Sequence, residues 1–196
     1  MRVGILGGTF DPVHNGHLIL AEHACTQLQL DLVLFIPAGE PWRKANRQIT
    51  AAPHRLAMLQ LAIANNQTFG ISDIELRHLG PTYTADTLEA LAAERLDDEF
   101  YFIVGADALA DLPNWHEPHR IVQHAILAVA RRGDQSIESA IASVPQLTDR
   151  IVRFNMPAVP ISSTDIRARI AAKRSIAGLV PPPVEHYITE HHLYDA

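Results

Sequence analysis

The stretch VGILGGTFDPVHNGHLILAEHACTQL, Val3 to Leu28, sets the reading of the whole chain. An apolar run meets Gly7, Gly8 and Thr9, passes through Asp11 and Pro12, and continues into apolar residues at helical spacing from about Gly16. That succession predicts a strand, a tight loop and a helix. In an open α/β sheet such a junction, the carboxyl end of a strand facing a helix amino terminus, is where ligands bind.

The rhythm repeats outward from there. Short apolar runs recur as LVLFI at 32–36, FGISDI at 69–74, FYFIV at 100–104, AILAVA at 125–130 and IVRF at 151–154. Between them HLILAEHACTQL, HRLAMLQLAIA and TADTLEALAAERL place apolar residues at helical spacing. Strands alternating with helices predict an α/β fold, a doubly wound, mainly parallel sheet with helices on both faces in three layers. Prolines such as Pro12, Pro37, Pro53, Pro113, Pro118 and Pro160 are expected in loops. Pro181 to Pro183 set off a last short helix over 183–194, expected to dock back onto the body, so residues 1–196 read as one domain.

Composition narrows the classes. Apolar residues make up 47% and charged residues 19%, a globular balance. A formal net charge of -6 argues against a sequence-independent grip on nucleic acid. No apolar run suits a membrane span or a signal peptide, and the lone Cys25 reads as a structural thiol in a helix, fitting a reducing cytoplasm. His186, His191 and His192 read as a solvated tail.

Two segments carry chemistry. Gly7 and Gly8 offer backbone without a Cβ to an approaching anion, and Thr9 adds a hydroxyl. His14 and His17, three apart across a helix start, direct two rings at one phosphate, as imidazole or imidazolium. The pattern is neither G-x-G-x-x-G nor a lysine-bearing phosphate loop. Helix capping, or a zinc site using Asp11, His14 and His17, are the plainer readings of the same residues. Near the other end stands Ile161-Ser162-Ser163-Thr164-Asp165-Ile166-Arg167, where Ser162 and Asp165 have the spacing of a capping box. A second helix start is expected there, with Arg167 in its first turns, where a cation calls for a negative neighbour.

Together these segments resemble the nucleotidylyltransferase superfamily, through His14-Asn15-Gly16-His17 and Ile161 to Arg167. Within it the chain resembles the nicotinate-nucleotide adenylyltransferases, through Gly80 to Leu88, Phe102 to Leu109 with Trp115, Ala130 to Gly133, and Val180 to Tyr194. The resemblance implies a Rossmann-like sheet and transfer of AMP from ATP to nicotinate mononucleotide, with Mg²⁺ held mainly by phosphates and water. It implies ATP contacts from Gly7, Gly8, Thr9, His14 and His17 on one side. Gly105, Ile161, Ser162, Ser163 and Arg167 complete the ATP set. On the mononucleotide it implies Asp107 at the ribose, Trp115 on the pyridine ring and Thr84 near its carboxylate, with Lys44 and Arg132 facing the reacting phosphates. Pro41-Trp42-Arg43-Lys44 departs from the family's usual Pro-Pro-His-Lys or Pro-Pro-His-Arg but keeps the basic end. A relative acting on another phosphorylated acceptor, or a nucleotide sensor without turnover, are the competing expectations.

Overall fold

The computed structural model describes residues 1–39, 49–133 and 137–195. Six strands, β1 (Arg2–Gly8), β2 (Leu32–Pro37), β3 (Phe69–Ile71), β4 (Glu99–Gly105), β5 (Ala125–Arg132) and β6 (Ile151–Met156), form one sheet in the order β3-β2-β1-β4-β5-β6. Every neighbouring pair is parallel, so the sheet is more uniform than the mainly parallel one expected.

Side chains alternate between the two faces along each strand. In β2, Val33 and Phe35 enter one core while Leu34 and Ile36 enter the other. In β4, Tyr101 and Ile103 join the first and Phe100, Phe102 and Val104 the second. The first core is closed by α1 (Asn15–Gln27), α2 (Ala52–Ile63), α7 (Ser163–Ala171) and α8 (Pro182–Glu190), through residues such as Leu20, Leu59, Ile166 and Ile188. The second is closed by α3 (Thr84–Glu94), α4 (Ala106–Asp111), α5 (Pro118–His124) and α6 (Glu138–Ala142), through Leu88, Leu109, Ile121 and Ile141. Fully burying each such side chain contributes about 1.5–3 kcal/mol, and both sheet faces are covered, as a parallel sheet requires.

The chain leaves β1 toward the α1 face and β4 toward the α4 face. That reversal opens a crevice at the carboxyl ends of β1 and β4.

Local expectations are corrected in four places. Gly7 and Gly8 are the last residues of β1, paired with Ile36 and Pro37, rather than part of the following loop. The third strand stops at Ile71: Ser72 N still donates to Phe35 O at 3.0 Å, but Asp73 then opens a turn closed by Leu76 N. The last helix ends at Glu190, and His191 to Tyr194 continue as turns, with positive φ at His192 and Tyr194. Pro53 and Pro118 open α2 and α5 instead of lying in loops, since a first-turn N–H has no intrahelical partner to lose, while Pro37 ends β2 and Pro113 lies in the 3₁₀ helix Leu112–Asn114. Cys25 sits as expected, half-buried, with Sγ donating to Leu30 O at 3.3 Å.

Candidate active site

The loop from β1 to α1 folds back under its own start. Phe10 adopts φ 49° and is buried at 1% exposure. A Cβ on Gly8 would stand 3.0 Å from the Phe10 ring, so Gly8 admits Phe10 rather than an anion. Gly7 is the open glycine, its nearest neighbour being the Phe102 ring at 3.9 Å from a Cβ position.

His14 is the residue at the amino-terminal cap of α1, and its N–H donates to His17 Nδ1 at 3.2 Å. An accepting Nδ1 places the His17 proton on Nε2, at the far end of the ring. The two imidazoles stack with centroids 3.7 Å apart and planes 22° from parallel, and Phe10 meets His17 edge-on at 5.0 Å. His14 is 7% exposed and its Nδ1 has no hydrogen-bond partner among the described residues. Burial holds its pKa down at about 4, with the positive charge of Arg132 acting in the same direction. Of the two charge states open from sequence, His14 is therefore neutral imidazole at pH 7. The helix capping weighed from sequence is present in this pair of rings.

The depressed pKa of His14 carries a pH dependence of stability. In the unfolded chain His14 takes a proton near pH 6.5, while the folded chain holds it off to about pH 4. Stability from this group is thus complete above about pH 6.5 and is lost as pH falls toward 4, at up to about 1.4 kcal/mol per pH unit. In urea titrations, His14→Gln is expected to lose about 2 kcal/mol less than wild type between pH 7 and pH 5. Equal losses in the two proteins would contradict the burial of a neutral ring.

The second helix start meets this loop. Ser162 caps α7, its Oγ accepting from Asp165 N at 3.1 Å, as the capping-box spacing predicts. Ser163 Oγ donates to Pro12 O at 2.9 Å, Arg167 Nη1 donates to Asp11 O, and Arg167 Nη2 donates to Thr164 Oγ1 at 3.1 Å. Arg167 thus has a carbonyl dipole of the opening loop as a negative neighbour within the protein. The Ser163 hydroxyl proton is likewise committed to Pro12, which leaves the backbone N–H groups of the first turn as its offer to an anion. Ile161, half-buried, bonds back to Val159 O at 2.9 Å, and a Cβ on Gly16 would lie 3.0 Å from His14 Nδ1 and 3.7 Å from Val159. The two helix starts are thus bonded to one another through Pro12 and Asp11.

Close to them lies a residue that the sequence reading did not select. Arg55 on α2, 3% exposed, donates from Nη1 to Thr9 O and from Nε to Thr50 O, each at 2.9 Å. Its signal was present: Arg55, Met58, Leu59 and Ile63 are the buried positions of α2, so a cation occupies the apolar stripe. Asp11, also 3% exposed, accepts from the Tyr194 hydroxyl at 2.7 Å.

The remaining described site residues lie on β4, β5, α3, α4 and the segment after α4. Arg132, at the end of β5, lies over Gly105, where a Cβ would be 3.3 Å from Nη2. Gly105 caps α4, and Asp107 is exposed in its first turn. Trp115 packs edge-on against Phe102 at 6.0 Å while its Nε1 donates to Asp111 Oδ2 at 3.1 Å, so it rests against the second core. Thr84 is the first residue of α3 and not its cap, which is Tyr83. The Tyr83 ring lies 4.1 Å from that of His116, joining the segments of Thr84 and Trp115. Lys44 and the rest of Pro41-Trp42-Arg43-Lys44 lie outside the described residues.

Among the described residues no group of three His, Cys, Asp or Glu side chains could hold a metal ion, so the zinc reading of Asp11, His14 and His17 falls. No described helix is long and apolar enough to cross a membrane.

Comparison with known proteins gives the family. Residues 5–169 match the cytidylyltransferase-like family. Relatives named "Probable nicotinate-nucleotide adenylyltransferase" include one from Thermomicrobium roseum, 49% identical over 98% of this chain and 91% of its own. Others are from Roseiflexus sp., 46% identical over 98% and 97%, and Synechococcus sp., 45% identical over 98% and 94%. The same architecture occurs in the nicotinic acid mononucleotide adenylyltransferase of Plasmodium falciparum, solved with APC and with NaAD, at a TM-score of 0.80 and 22% identity over 98% of this chain and 96% and 97% of those. On this fold and these relatives, the chain belongs to the cytidylyltransferase-like family and, within it, to the nicotinate-nucleotide adenylyltransferases.

Proposed function

We infer that the chain transfers the AMP part of ATP to the 5′-phosphate of nicotinate mononucleotide, giving nicotinate adenine dinucleotide and pyrophosphate. The observation that carries this reading is the convergence of two helix starts: Ser163 and Arg167 of α7 bond to Pro12 and Asp11 of the loop that leads into His14 and His17. Each start presents N–H groups that lack intrahelical partners, and together they favour a row of phosphates.

The phosphate monoester is already an anion at neutral pH, so attack on the α-phosphorus needs no general base. The protein positions the two substrates and stabilises charge on the leaving pyrophosphate. In this assignment His17 Nε2–H, Arg167 and the first N–H groups of α7 take the triphosphate, with Gly7, Gly8, Thr9, Gly105, Ile161 and Ser162 shaping its cleft. His14 acts as an uncharged ring beside them. Asp107, Trp115 and Thr84 take the mononucleotide, and Arg132 and Lys44 face the reacting phosphates.

Mg²⁺, where bound, would neutralise phosphate charge. A described surface without a three-ligand metal cluster fits a cation brought in by the triphosphate and water. We assign residues 1–196 to one domain and the protein to a reducing cytoplasm, which suits an unpaired thiol at Cys25.

The test is pyrophosphate release with ATP and each acceptor in turn. Nicotinate mononucleotide is expected to give the highest kcat/KM. A higher value with phosphopantetheine, or with a ribityl or sugar-alcohol phosphate, would move the chain to another acceptor class. Tight ATP binding with no product from any acceptor would make it a sensor.

A further inference from the structure

The loop from Thr9 to Pro12 is held from below by residues remote in sequence. Tyr194 lies in the turns that follow α8 and donates its hydroxyl to Asp11 Oδ1 across 183 positions of chain. Burial pushes the Tyr194 pKa well above its ordinary range, so its hydroxyl stays a donor through neutral pH. The main chain of Asp11 meanwhile accepts from Arg167. One residue is thus fixed on two sides, and His14 stands three positions later.

Tyr194 reaches Asp11 because α8 is docked. Val184 and Ile188 enter the first core, and the Tyr187 hydroxyl lies 3.0 Å from Nδ1 of His54, the neighbour of Arg55. Arg55 in turn holds Thr9 O, and the charge of Asp11 favours its protonated form against the cost of burial. The Thr9–Pro12 segment therefore rests on a polar floor supplied by α2 and by the segment after α8.

We propose that Tyr194 is a positioning residue for the ATP half of the reaction: through Asp11 it sets the course of the Thr9–Pro12 loop and so the placement of His14 and His17. This rests on the functional reading above and deepens it. Tyr194 touches neither substrate in this scheme, so its hydroxyl governs the ATP side and leaves acceptor binding alone. A merely structural tyrosine would instead alter the behaviour of both substrates together, in step with thermal stability.

The experiment uses the full chain, wild type and Tyr194→Phe. Initial rates of pyrophosphate release are measured against ATP and, separately, against nicotinate mononucleotide, with Tm determined alongside. For Tyr194→Phe, kcat is expected to fall about tenfold and the KM for ATP to rise about threefold, the scale of a sub-ångström misplacement of catalytic groups. The KM for nicotinate mononucleotide should stay within about twofold. Asp11→Ala removes the same bond from the other side. The double variant is expected to be no slower than the slower single one, because coupled residues are not additive.

Wild-type kinetics in Tyr194→Phe, or equal effects on both substrates that track Tm, overturn the proposal. If Tyr194→Phe does not fold, the same ATP-selective loss is read in Asp11→Ala. If wild type releases no pyrophosphate with any acceptor, the functional reading fails separately. The proposal then stands or falls on titration with a non-hydrolysable ATP analogue: weaker binding in Tyr194→Phe upholds it and unchanged binding overturns it.

Discussion

His17→Ala is expected to lower kcat by about a hundredfold or more, with a smaller change in the KM for ATP, the pattern of a lost donor to charge that develops in the transition state. The geometry allows a sharper form of this prediction. His17 uses Nδ1 to accept from His14 N at 3.2 Å, which leaves Nε2 as the protonated nitrogen. Asn carries a polar atom near the position of Nδ1 but does not reach as far as Nε2, whereas Gln reaches that far. The expected order of kcat is wild type, then His17→Gln, then His17→Asn and His17→Ala together. If Asn outperforms Gln, the ring matters as a cap of α1 and not as a phosphate donor. Unchanged turnover in His17→Ala would remove this residue from the mechanism.

Replacing Arg167 should be comparably severe for a different reason. Its guanidinium joins Asp11 O to Thr164 Oγ1, so the planar fork locks α7 to the opening loop and, in the proposed reaction, brings a fixed cation to the phosphates. Arg167→Ala is expected to cut kcat/KM for ATP by about a hundredfold, with the KM for ATP raised, because ground-state binding is lost along with transition-state stabilisation. Arg167→Lys should recover only a minor part, since one ammonium cannot span both partners while facing an anion. Loss of the brace should also cost about 1 kcal/mol of stability in denaturant titrations. Full activity in Arg167→Lys would show that charge alone is required.

The sequence made the architecture legible because period and punctuation agreed. LVLFI, FYFIV and AILAVA are continuous apolar runs, as strands buried on both faces must be, and HLILAEHACTQL, HRLAMLQLAIA and TADTLEALAAERL carry helical spacing between the earlier runs. The edge strand was overestimated because FGISDI is apolar enough to read as one run, whereas its pairing to β2 ends at Ile71. At the site, both helix starts announced themselves through short motifs. What stayed hidden was tertiary. That Ser163 and Arg167 spend donors on the carbonyls of Pro12 and Asp11, and that Gly8 makes room for Phe10, depends on neighbours that no local pattern specifies. The same holds for Tyr194, whose partner is 183 residues away. Arg55 was readable in principle, as a charge on an apolar stripe.

Between β1 and β4 the chain changes the side on which it packs its helices, and each half of the dinucleotide product is assigned to a different set of them. In the proposed reaction the triphosphate is assigned mainly to α1 and α7, over the core of Leu20 and Ile166, and the pyridine half to α3 and α4, over that of Leu88 and Leu109. Such a partition lets acceptor choice drift under selection while the adenylating apparatus stays put, because substitutions on one side of the sheet need not be repaired on the other.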